Sequence, residues 1–205
     1  PGSTIITDSV TSDGLHDFLE KDLHLKHLRY MRGYKNVINE CIRRNEAGEI
    51  SPLAIETSGH GALSENYYLD DGAYLAVKLL IAAAKARAEG RTLADLIANL
   101  RHPAEAREIR IKITGMGDVK AYGKDVLAAF EQRAKDKGLR IAAPSYEGVR
   151  IVMDGGWALL RMSLHDPNMP LNIEADAAGG ADAIEREVKE LLAGFDALDL
   201  SGFQS

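Results

Sequence analysis

The chain of 205 residues has a single cysteine, no long apolar run and no excess of positive charge. Cys41 cannot form an internal disulfide, so a reducing cytoplasm is the expected compartment. No apolar stretch reaches the roughly 20 residues that span a bilayer, and the first residues lack a basic-then-apolar signal pattern. The formal net charge of -6 gives no general reason to expect nucleic-acid binding. We therefore expect neither a membrane nor a nucleic-acid partner. The residues that bind a ligand are expected in loops.

Apolar residues make up 45% of the chain, enough for one or two domains with buried cores. In the first half, short apolar strands alternate with amphipathic helices. The predicted strands are residues 4–7, 26–31 and 53–56, and the predicted helices are residues 13–23, 36–47, 73–89 and 92–100. Such alternation is typical of βαβ units. It predicts a three-layer α/β domain with a mostly parallel sheet over residues 1–104.

The order of elements changes after a break at residues 101–103, which end in a proline. The predicted elements are then a strand at 108–113, a helix at 119–137, strands at 148–153, 157–162 and 171–175, and a helix at 182–193. Residues 154–156 (Asp-Gly-Gly) favour a tight hairpin, because glycine adopts the positive φ that such turns need. The order βαβββα predicts a small α+β domain with a largely antiparallel sheet over residues 105–205.

Residues 56–60 (Glu-Thr-Ser-Gly-His) bring together an acceptor, two hydroxyls and an imidazole directly after an apolar strand. Side chains that both donate and accept hydrogen bonds can match the vicinal hydroxyls of a sugar, and Gly59 leaves room for a ligand beside the backbone. In α/β sheets, ligands gather at the carboxyl ends of strands. Together with residues 67–72 (Tyr-Tyr-Leu-Asp-Asp-Gly), the segment resembles the sugar-binding loop of the α-D-phosphohexomutases, the phosphoglucomutase and phosphomannomutase family.

Residues 161–167 (Arg-Met-Ser-Leu-His-Asp-Pro) place a guanidinium, a hydroxyl and an imidazole on a turn after a strand. These groups suit a phosphate dianion, since arginine offers a planar bidentate fork and the N–H groups of a turn can form an anion-binding nest. The segment is similar to the phosphate-binding loop of the family's C-terminal domain, Arg-x-Ser-Gly-Thr-Glu-Pro. Arg161, Ser163 and Pro167 match that form, Asp166 is a conservative change from glutamate, and Leu164 and His165 depart from it.

A third segment, residues 29–36 (Arg-Tyr-Met-Arg-Gly-Tyr-Lys-Asn), is basic and aromatic and lies between a predicted strand and a predicted helix. Anions settle at such helix N-termini. The segment is similar to the family's Val-Gly-x-Lys-type loop, which faces the active-site cleft. The resemblance therefore implies that Arg32 and Lys35 contact the phosphate or the sugar of the substrate.

Each motif also has an interpretation without a ligand. Glu56 and His60 could cap a helix or satisfy a buried loop, and Arg161 could pair with Glu174 across the sheet. Residues 70–71 (Asp-Asp) suggest a metal ligand, but adjacent carboxylates without further ligands at useful spacing more often stabilise a helix N-terminus. We predict no metal site in this chain. The ligand interpretation is favoured because two family motifs occur in order, on the two domain types where the family places them.

The resemblance covers essentially the whole chain and corresponds to the third and fourth domains of a four-domain enzyme. In the family, the first domain carries a phosphorylated serine in a loop of the form Thr-Ala-Ser-His-Asn-Pro, and the second carries a magnesium-binding loop, Asp-Gly-Asp-Gly-Asp-Arg. Neither motif occurs in these residues. The resemblance implies a cytoplasmic isomerase of carbohydrate metabolism, an intramolecular phosphotransferase. It would interconvert hexose 1-phosphate and hexose 6-phosphate through the phosphoserine and a hexose 1,6-bisphosphate. Mg²⁺ and the bisphosphate would serve the full enzyme, and this part alone would bind neither as a cofactor.

The resemblance also implies a role for each residue of the two loops. The implied substrate-binding residues are Arg32, Lys35, Glu56, Ser58 and His60, and the implied phosphate-binding residues are Arg161, Ser163 and His165. Glu56 and Ser58 would take the sugar hydroxyls, and His60 would orient them or assist proton transfer. None of these residues is the catalytic nucleophile.

A strand that starts at residue 4 predicts a chain entered in the middle of a longer protein. The expected partners are then a hexose phosphate and the N-terminal domains of the same protein, and the chain alone is expected to be inactive. Two rivals stay open: a non-catalytic sugar-phosphate binding or regulatory protein, and a structural domain without a ligand. The loops also leave open the choice among glucose, mannose and amino-sugar phosphates.

Overall fold

Helices and strands alternate in the first half of the chain, whereas strands dominate the second half. The computed structural model describes residues 2–164 and 166–203. By its internal contacts the chain divides into a first unit, Pro1–His102, and a second unit, Pro103–Ser205. Among the described residues, no helix combines the length and the apolar character needed to cross a lipid bilayer.

Residues 2–102, the part of the first unit that the structure describes, form four strands and three α-helices. The strands are β1 (Thr4–Asp8), β2 (Lys26–Tyr30), β3 (Leu53–Ile55) and β4 (Gly61–Leu63), and the helices are α1 (Asp13–Asp17), α2 (Tyr34–Glu46) and α3 (Gly72–Ala88). A π-helical turn, Phe18–Asp22, continues α1, and 3₁₀ turns lie at Ser64–Asn66 and Ala94–Ile97.

The sheet of the first unit has the strand order β2-β1-β3-β4. The central strand β1 runs parallel to both β2 and β3, and β4 pairs antiparallel with β3. Helix α2 leads from β2 to β3, which lies on the other side of β1, as expected for a parallel crossover. This confirms the predicted α/β fold with a mostly parallel sheet.

Helices lie on both faces of this sheet. On one face, Ile6, Ala54 and Ala62 form a core with the buried side of α2, which includes Val37 and Cys41. Because side chains alternate along a strand, the neighbours of Ala54 and Ala62 face the other way. There Leu75 of α3 lies so close to Gly61 that a Cβ on the glycine would be 2.9 Å from its Cδ1. The three layers are thus α2, the sheet and α3.

Much of the apolar surface of α3 is exposed, and the helix predicted for residues 92–100 is largely absent. Leu79, Leu80 and Ile81 are between 48% and 69% exposed. Residues 92–100 form only the 3₁₀ turn Ala94–Ile97, around which leucine and isoleucine side chains are also exposed. An amphipathic sequence that finds no core to pack against gains too little to hold a helix, which explains the difference.

The described residues of the second unit form six strands and two helices. The strands are β5 (Glu105–Ile113), β6 (Arg140–Ile141), β7 (Val149–Met153), β8 (Gly156–Leu160), β9 (Asn168–Ala175) and β10 (Leu198–Asp199), and the helices are α4 (Val119–Asp136) and α5 (Gly180–Leu191). The strand order is β10-β5-β9-β8-β7-β6, and every neighbouring pair is antiparallel. The predicted α+β fold is confirmed.

Helices α4 and α5 pack on the sheet of the second unit around a large apolar core. Phe130 of α4 and Val188 of α5 are fully buried against strand residues such as Ile151 and Leu171. The short strands β6 and β10 are additions to the predicted order βαβββα. Each is only two residues long, so neither has a hydrophobic period that could be read from the sequence.

Candidate functional site

Three loops meet at one edge of the first unit's sheet. They follow β1, β2 and β3, which run parallel, so that their carboxyl ends lie side by side. The register pairs Asp8 with Tyr30, and it pairs Thr7 with Ile55. The loop segments are residues 9–12, 31–33 and 56–60. They contain the predicted site residues Arg32, Glu56, Ser58 and His60, while Lys35 lies in the first turn of α2.

A buried carboxyl group at the end of β1 connects these loops. Asp8 is completely buried, and its Oδ2 accepts hydrogen bonds from the N–H of Thr57 at 3.3 Å and from its hydroxyl at 2.7 Å. Its Oδ1 accepts from the hydroxyl of Thr11 at 3.0 Å. The Nε of Arg32 lies 3.7 Å from Oδ2. One side chain therefore contacts residues from all three loops.

Glu56 is tied to the second loop by its side chain. It is 8% exposed, and its Oε1 accepts a hydrogen bond from the N–H of Gly33 at 2.6 Å. Gly33 has φ = +107°, a left-handed conformation that favours glycine, and it directly precedes α2. The interpretation of Glu56 as a group that satisfies a loop is thus correct for one of its oxygens, and the same bond fixes the carboxylate at the edge of the sheet.

The loop of residues 56–60 is closed by its own backbone. The N–H of Glu56 donates to the carbonyl of His60 at 2.8 Å, and the N–H of Gly59 donates to the carbonyl of Glu56 at 2.9 Å. Gly59 has φ = +94° with no atom within 4 Å of the position of a Cβ. Glycine is therefore needed here for its backbone conformation, and the space beside it is open. Ser58 is exposed at the tip of this turn.

His60 is held by an acid and an aromatic ring. Its Nδ1 lies 2.7 Å from Oδ2 of Asp70, whose Oδ1 accepts from the N–H of Gly61 at 3.0 Å. The ring stacks on Tyr34, with centroids 5.2 Å apart. Because a carboxylate only accepts, Nδ1 is the donor in this bond. Nε2 is then left to accept from a hydroxyl when the ring is neutral and to donate to an oxygen when it is protonated.

The two predicted cationic residues of this edge are Arg32 and Lys35. Arg32 has 29% of its side chain exposed, although its Nε is near Asp8. Lys35 is exposed, with its Nζ 6.0 Å from the centroid of the Tyr34 ring. The edge therefore presents carboxylate, hydroxyl, imidazole and cationic groups together. Such a set matches a ligand that carries both hydroxyls and negative charge.

The two adjacent aspartates have different roles. Asp70 holds His60, whereas Asp71 caps α3 by accepting from the N–H of Tyr74 at 2.9 Å. That hydrogen bond lowers the pKa of the Asp71 carboxyl below its usual value. Over the described residues, no group of three or more His, Cys, Asp or Glu side chains is placed to hold a metal ion. The donor set present does not fit Mg²⁺, which prefers several oxygen ligands in octahedral geometry.

In the second unit, the predicted phosphate loop follows β8. Arg161 is 8% exposed, and its Nη1 lies 3.6 Å from Oε1 of Glu147 in the loop before β7. Gly148, with φ = +63°, packs directly on it: a Cβ there would be 2.8 Å from the Cβ of Arg161. The alternative partner Glu174 accepts from the indole N–H of Trp157 at 2.9 Å. Arg161 therefore packs against Gly148 and pairs with Glu147, a partner that the sequence did not predict.

The remainder of this loop is a hydrogen-bonded turn. The N–H of Ser163 donates to the carbonyl of Asn168 at 3.0 Å, and its Oγ accepts from the N–H of Asp166 at 3.1 Å. Leu164, which departs from the family motif, is 62% exposed. The predicted contact of His165 lies outside the described residues. The turn brings Arg161 and Ser163 to the same end of β8.

Asp8 and Glu147 contact predicted site residues but lie outside the motifs, whereas Asp70 lies in the motif of residues 67–72 without having been predicted as the partner of His60. Asp8 could have been found as the only charged residue of its strand, placed at the end where ligands bind in α/β sheets. Nothing in the spacing of Glu147 or Asp70 indicates their partners. The lone thiol, Cys41, is buried in α2, and burial raises its pKa, which makes it a poor nucleophile.

The first unit matches a family of known proteins. Residues 1–103 match the family model described as phosphoglucomutase/phosphomannomutase, alpha/beta/alpha domain III. A phosphomannomutase/phosphoglucomutase of Pseudomonas putida is 32% identical over 142 residues, which are 69% of this chain and 28% of that protein. A probable phosphoglucosamine mutase of Methanocella arvoryzae is 26% identical over 160 residues, 78% of this chain and 34% of that protein. The chain thus spans about a third of the length of these relatives.

Solved structures support the same fold. A phosphoglucomutase/phosphomannomutase family protein of Burkholderia thailandensis superposes with a TM-score of 0.74 at 22% identity, over 96% of this chain and 38% of that one. An N-acetylphosphoglucosamine mutase of Aspergillus fumigatus, solved with GlcNAc-6P and magnesium, superposes with a TM-score of 0.59 at 12% identity, over 95% and 39%. At these identities the structures bear on the fold alone. Because the family model matches half of the sequence, we conclude that this chain belongs to the phosphoglucomutase/phosphomannomutase family.

Proposed function

We propose that this chain is the part of a phosphohexomutase that recognises the sugar and the phosphate of its substrate. The full protein would interconvert hexose 1-phosphate and hexose 6-phosphate through a phosphoserine and a hexose 1,6-bisphosphate. In this proposal the phosphoserine and the Mg²⁺ loop lie in the remainder of the protein, and the chain alone is inactive. The observation that carries the proposal is the edge of the first unit, where the ends of three parallel strands bring together hydroxyl-binding and cationic groups.

Residues 1–104 would supply the sugar contacts. Glu56 and Ser58 would bind the sugar hydroxyls, and His60, oriented by Asp70, would present Nε2 to a hydroxyl, either to orient it or to assist proton transfer. The carboxylate of Glu56 is fixed by the N–H of Gly33, so little rotamer entropy would be lost when it binds a ligand. Arg32 and Lys35 would be cationic groups at this edge, completing the proposed substrate contacts.

Residues 105–205 would supply the phosphate contacts. Arg161, Ser163 and His165 would hold the phosphate group that is not transferred. Because Arg161 is almost completely buried, its charge is weakly screened, which favours an anion that reaches it. Holding the distal phosphate and the hydroxyls fixes the sugar relative to the reacting group. Phosphoryl transfer depends chiefly on such positioning and on charge stabilisation.

The test is a titration of this chain with glucose 1-phosphate and glucose 1,6-bisphosphate, followed by its backbone amide NMR signals. We expect the largest shifts in residues 56–60 and 161–164. Glucose and inorganic phosphate serve as matched controls, because each carries only half of the proposed ligand and should bind more weakly. Shifts that are absent with both sugar phosphates at millimolar concentration, or that fall outside both loops, would contradict the proposal.

A second experiment tests whether this chain alone is inactive. The chain alone, incubated with glucose 1-phosphate, glucose 1,6-bisphosphate and Mg²⁺, should form no glucose 6-phosphate, because it lacks the motif of the serine donor. A coupled dehydrogenase assay measures this directly. Turnover by the purified chain would show that the remainder of the protein is not needed for the chemistry. Mannose 1-phosphate and glucosamine 1-phosphate in the same titration address the choice of sugar.

A further inference from the structure

Asp8 ends a strand that has a parallel neighbour on each side. Strand β1 is flanked by β2 on one side and by β3 on the other, and Asp8 is its last residue. A side chain at this point lies between the loops that follow both neighbours. An acceptor there can bind donors from each loop at once, whereas a residue at the end of β2 is next to only one neighbouring parallel strand.

The side chain of Asp8 contacts all three loops at this edge. Its Oδ2 takes the N–H and the hydroxyl of Thr57, which follows β3, and it is 3.7 Å from Nε of Arg32, which follows β2. Its Oδ1 takes the hydroxyl of Thr11, from the loop after β1 itself. Asp8 is 0% exposed, so these interactions are formed away from bulk water, where hydrogen bonds to a charged group are strong.

We propose that Asp8 is a positioning residue, which fixes the loop of residues 56–60 and the side chain of Arg32 relative to each other in the ligand-free chain. It acts through Thr57 and does not itself reach the ligand. Its effect on ligand affinity rests on the function proposed above, whereas its effect on the loops does not. Thr57 is the informative contact, because it stands between Glu56 and Ser58 while its own side chain points into the buried network.

The test compares two threonines that donate to the same carboxyl group. Thr57→Val removes the hydroxyl on Oδ2 and keeps the shape of the side chain, and Thr11→Val does the same on Oδ1. We expect Thr57→Val to weaken glucose 1-phosphate binding by about tenfold, roughly one hydrogen bond to a charged group. Thr11→Val should leave the affinity within about twofold. Thr57→Ser, which keeps the hydroxyl, should restore the affinity.

A second measurement needs no ligand and extends the test to the carboxyl group. In Asp8→Asn, the amide N–H of residue 57 should exchange with solvent at least about tenfold faster than in the wild-type chain, and the ¹⁵N relaxation of residues 57–59 should show greater mobility. If that variant does not fold, Thr57→Val carries the relaxation measurement, because its substitution lies in an exposed loop.

The outcomes separate the two proposals. Equal losses of affinity in Thr57→Val and Thr11→Val would overturn the positioning role, because the carboxyl group would then act only through overall stability. Unchanged exchange and relaxation in Asp8→Asn and in Thr57→Val would overturn it as well. If the wild-type chain binds no sugar phosphate, the proposed function fails, and the ligand-free measurements still decide whether Asp8 fixes the loops.

Discussion

The two units bury their interiors differently. In the second unit, two helices and a six-stranded sheet enclose an apolar core that includes Phe130, Ile151 and Leu171. In the first unit, a smaller apolar cluster around Ile6 lies beside buried polar groups such as Asp8, and the apolar residues of α3 are exposed. Buried hydrogen bonds in the first unit fix the loops at the edge of its sheet. The same unit buries less apolar surface, so it has less hydrophobic stabilisation.

The two predicted binding loops differ in the same way. The loop of residues 56–60 is held by buried acids that bind the backbone or hydroxyls of neighbouring loops. The loop after β8 is stabilised by hydrogen bonds within its own turn, by the packing of Gly148 against Arg161 and by the ion pair of Arg161 with Glu147. We therefore expect stability to be most sensitive to apolar changes in the second unit, and recognition to be most sensitive to single polar changes in either loop.

The largest effect is expected for Phe130→Ala in the second unit. The ring is completely buried, so its removal leaves a cavity and should lower the free energy of unfolding by about 3–5 kcal/mol. Trp157 is the only tryptophan of the chain and is buried in this unit, so its fluorescence during urea unfolding reports the change. Phe130→Leu is the matched control and should cost less. A loss below about 1 kcal/mol would contradict the role of the core.

Ile6→Ala applies the same kind of change to the first unit. Ile6 is fully buried on the central strand, and the expected loss is about 2–4 kcal/mol, somewhat smaller because the surrounding cluster is smaller. The change is measured by circular dichroism and by amide exchange in β1. Ile6→Val should cost only about 1 kcal/mol. A loss larger than that of Phe130→Ala would reverse the comparison between the units.

Arg161→Ala tests recognition in the second unit. Removing a charge-assisted contact to phosphate should weaken binding of glucose 1-phosphate by about 10- to 100-fold, equivalent to roughly 1.5–3 kcal/mol. Isothermal titration or the NMR titration gives the dissociation constant. Arg110→Ala is the matched control, because that arginine is 67% exposed and pairs with Glu108 on the surface. Equal affinities of the two variants for glucose 1-phosphate would show that Arg161 does not contact the phosphate.

A smaller effect is expected for Glu40 in α2, and it depends on pH. Hydrogen bonds from Arg43, and then from Arg44, hold the pKa of the Glu40 carboxyl below its usual value. A lowered pKa in the folded chain means that the contribution is present above the unfolded pKa of about 4.3 and is lost as the pH falls through the folded value. Glu40→Gln should thus cost about 0.5–1 kcal/mol at pH 7 and progressively less below about pH 4. A cost independent of pH would assign the effect to packing.

The smallest effect is expected on the exposed side of α3. Leu80 is 69% exposed, so Leu80→Gln should change the free energy of unfolding by no more than about 0.5 kcal/mol. Leu75→Gln, on the side of the helix that lies against Gly61, serves as the contrasting variant and should cost clearly more. Similar costs for both, measured by urea unfolding, would show that the exposed side of α3 also stabilises the unit.

Local patterns in the sequence were sufficient for the two fold classes. The strand Thr4–Asp8 has the short β-branched run of a buried strand, helices such as Val119–Asp136 have the amphipathic period, and the turn after Met153 has the glycine that a hairpin requires. The helix predicted for residues 92–100 was wrong, because a helix without a core to pack against is marginal. Strands β6 and β10 could not be predicted, because each has only two residues and is defined by its pairing with a neighbouring strand.

In the candidate site, too, local motifs could be predicted and contacts between distant residues could not. The sequence by itself determined which segments carry hydroxyl-binding and anion-binding groups, because residues 56–60 and 161–167 are contiguous motifs. Only the tertiary structure decided that Asp8, 49 residues from Thr57 in sequence, would bind it, and that Glu147 would face Arg161. The physical reason is that strand order and register, which are long-range properties of the sheet, determine which strand ends become neighbours.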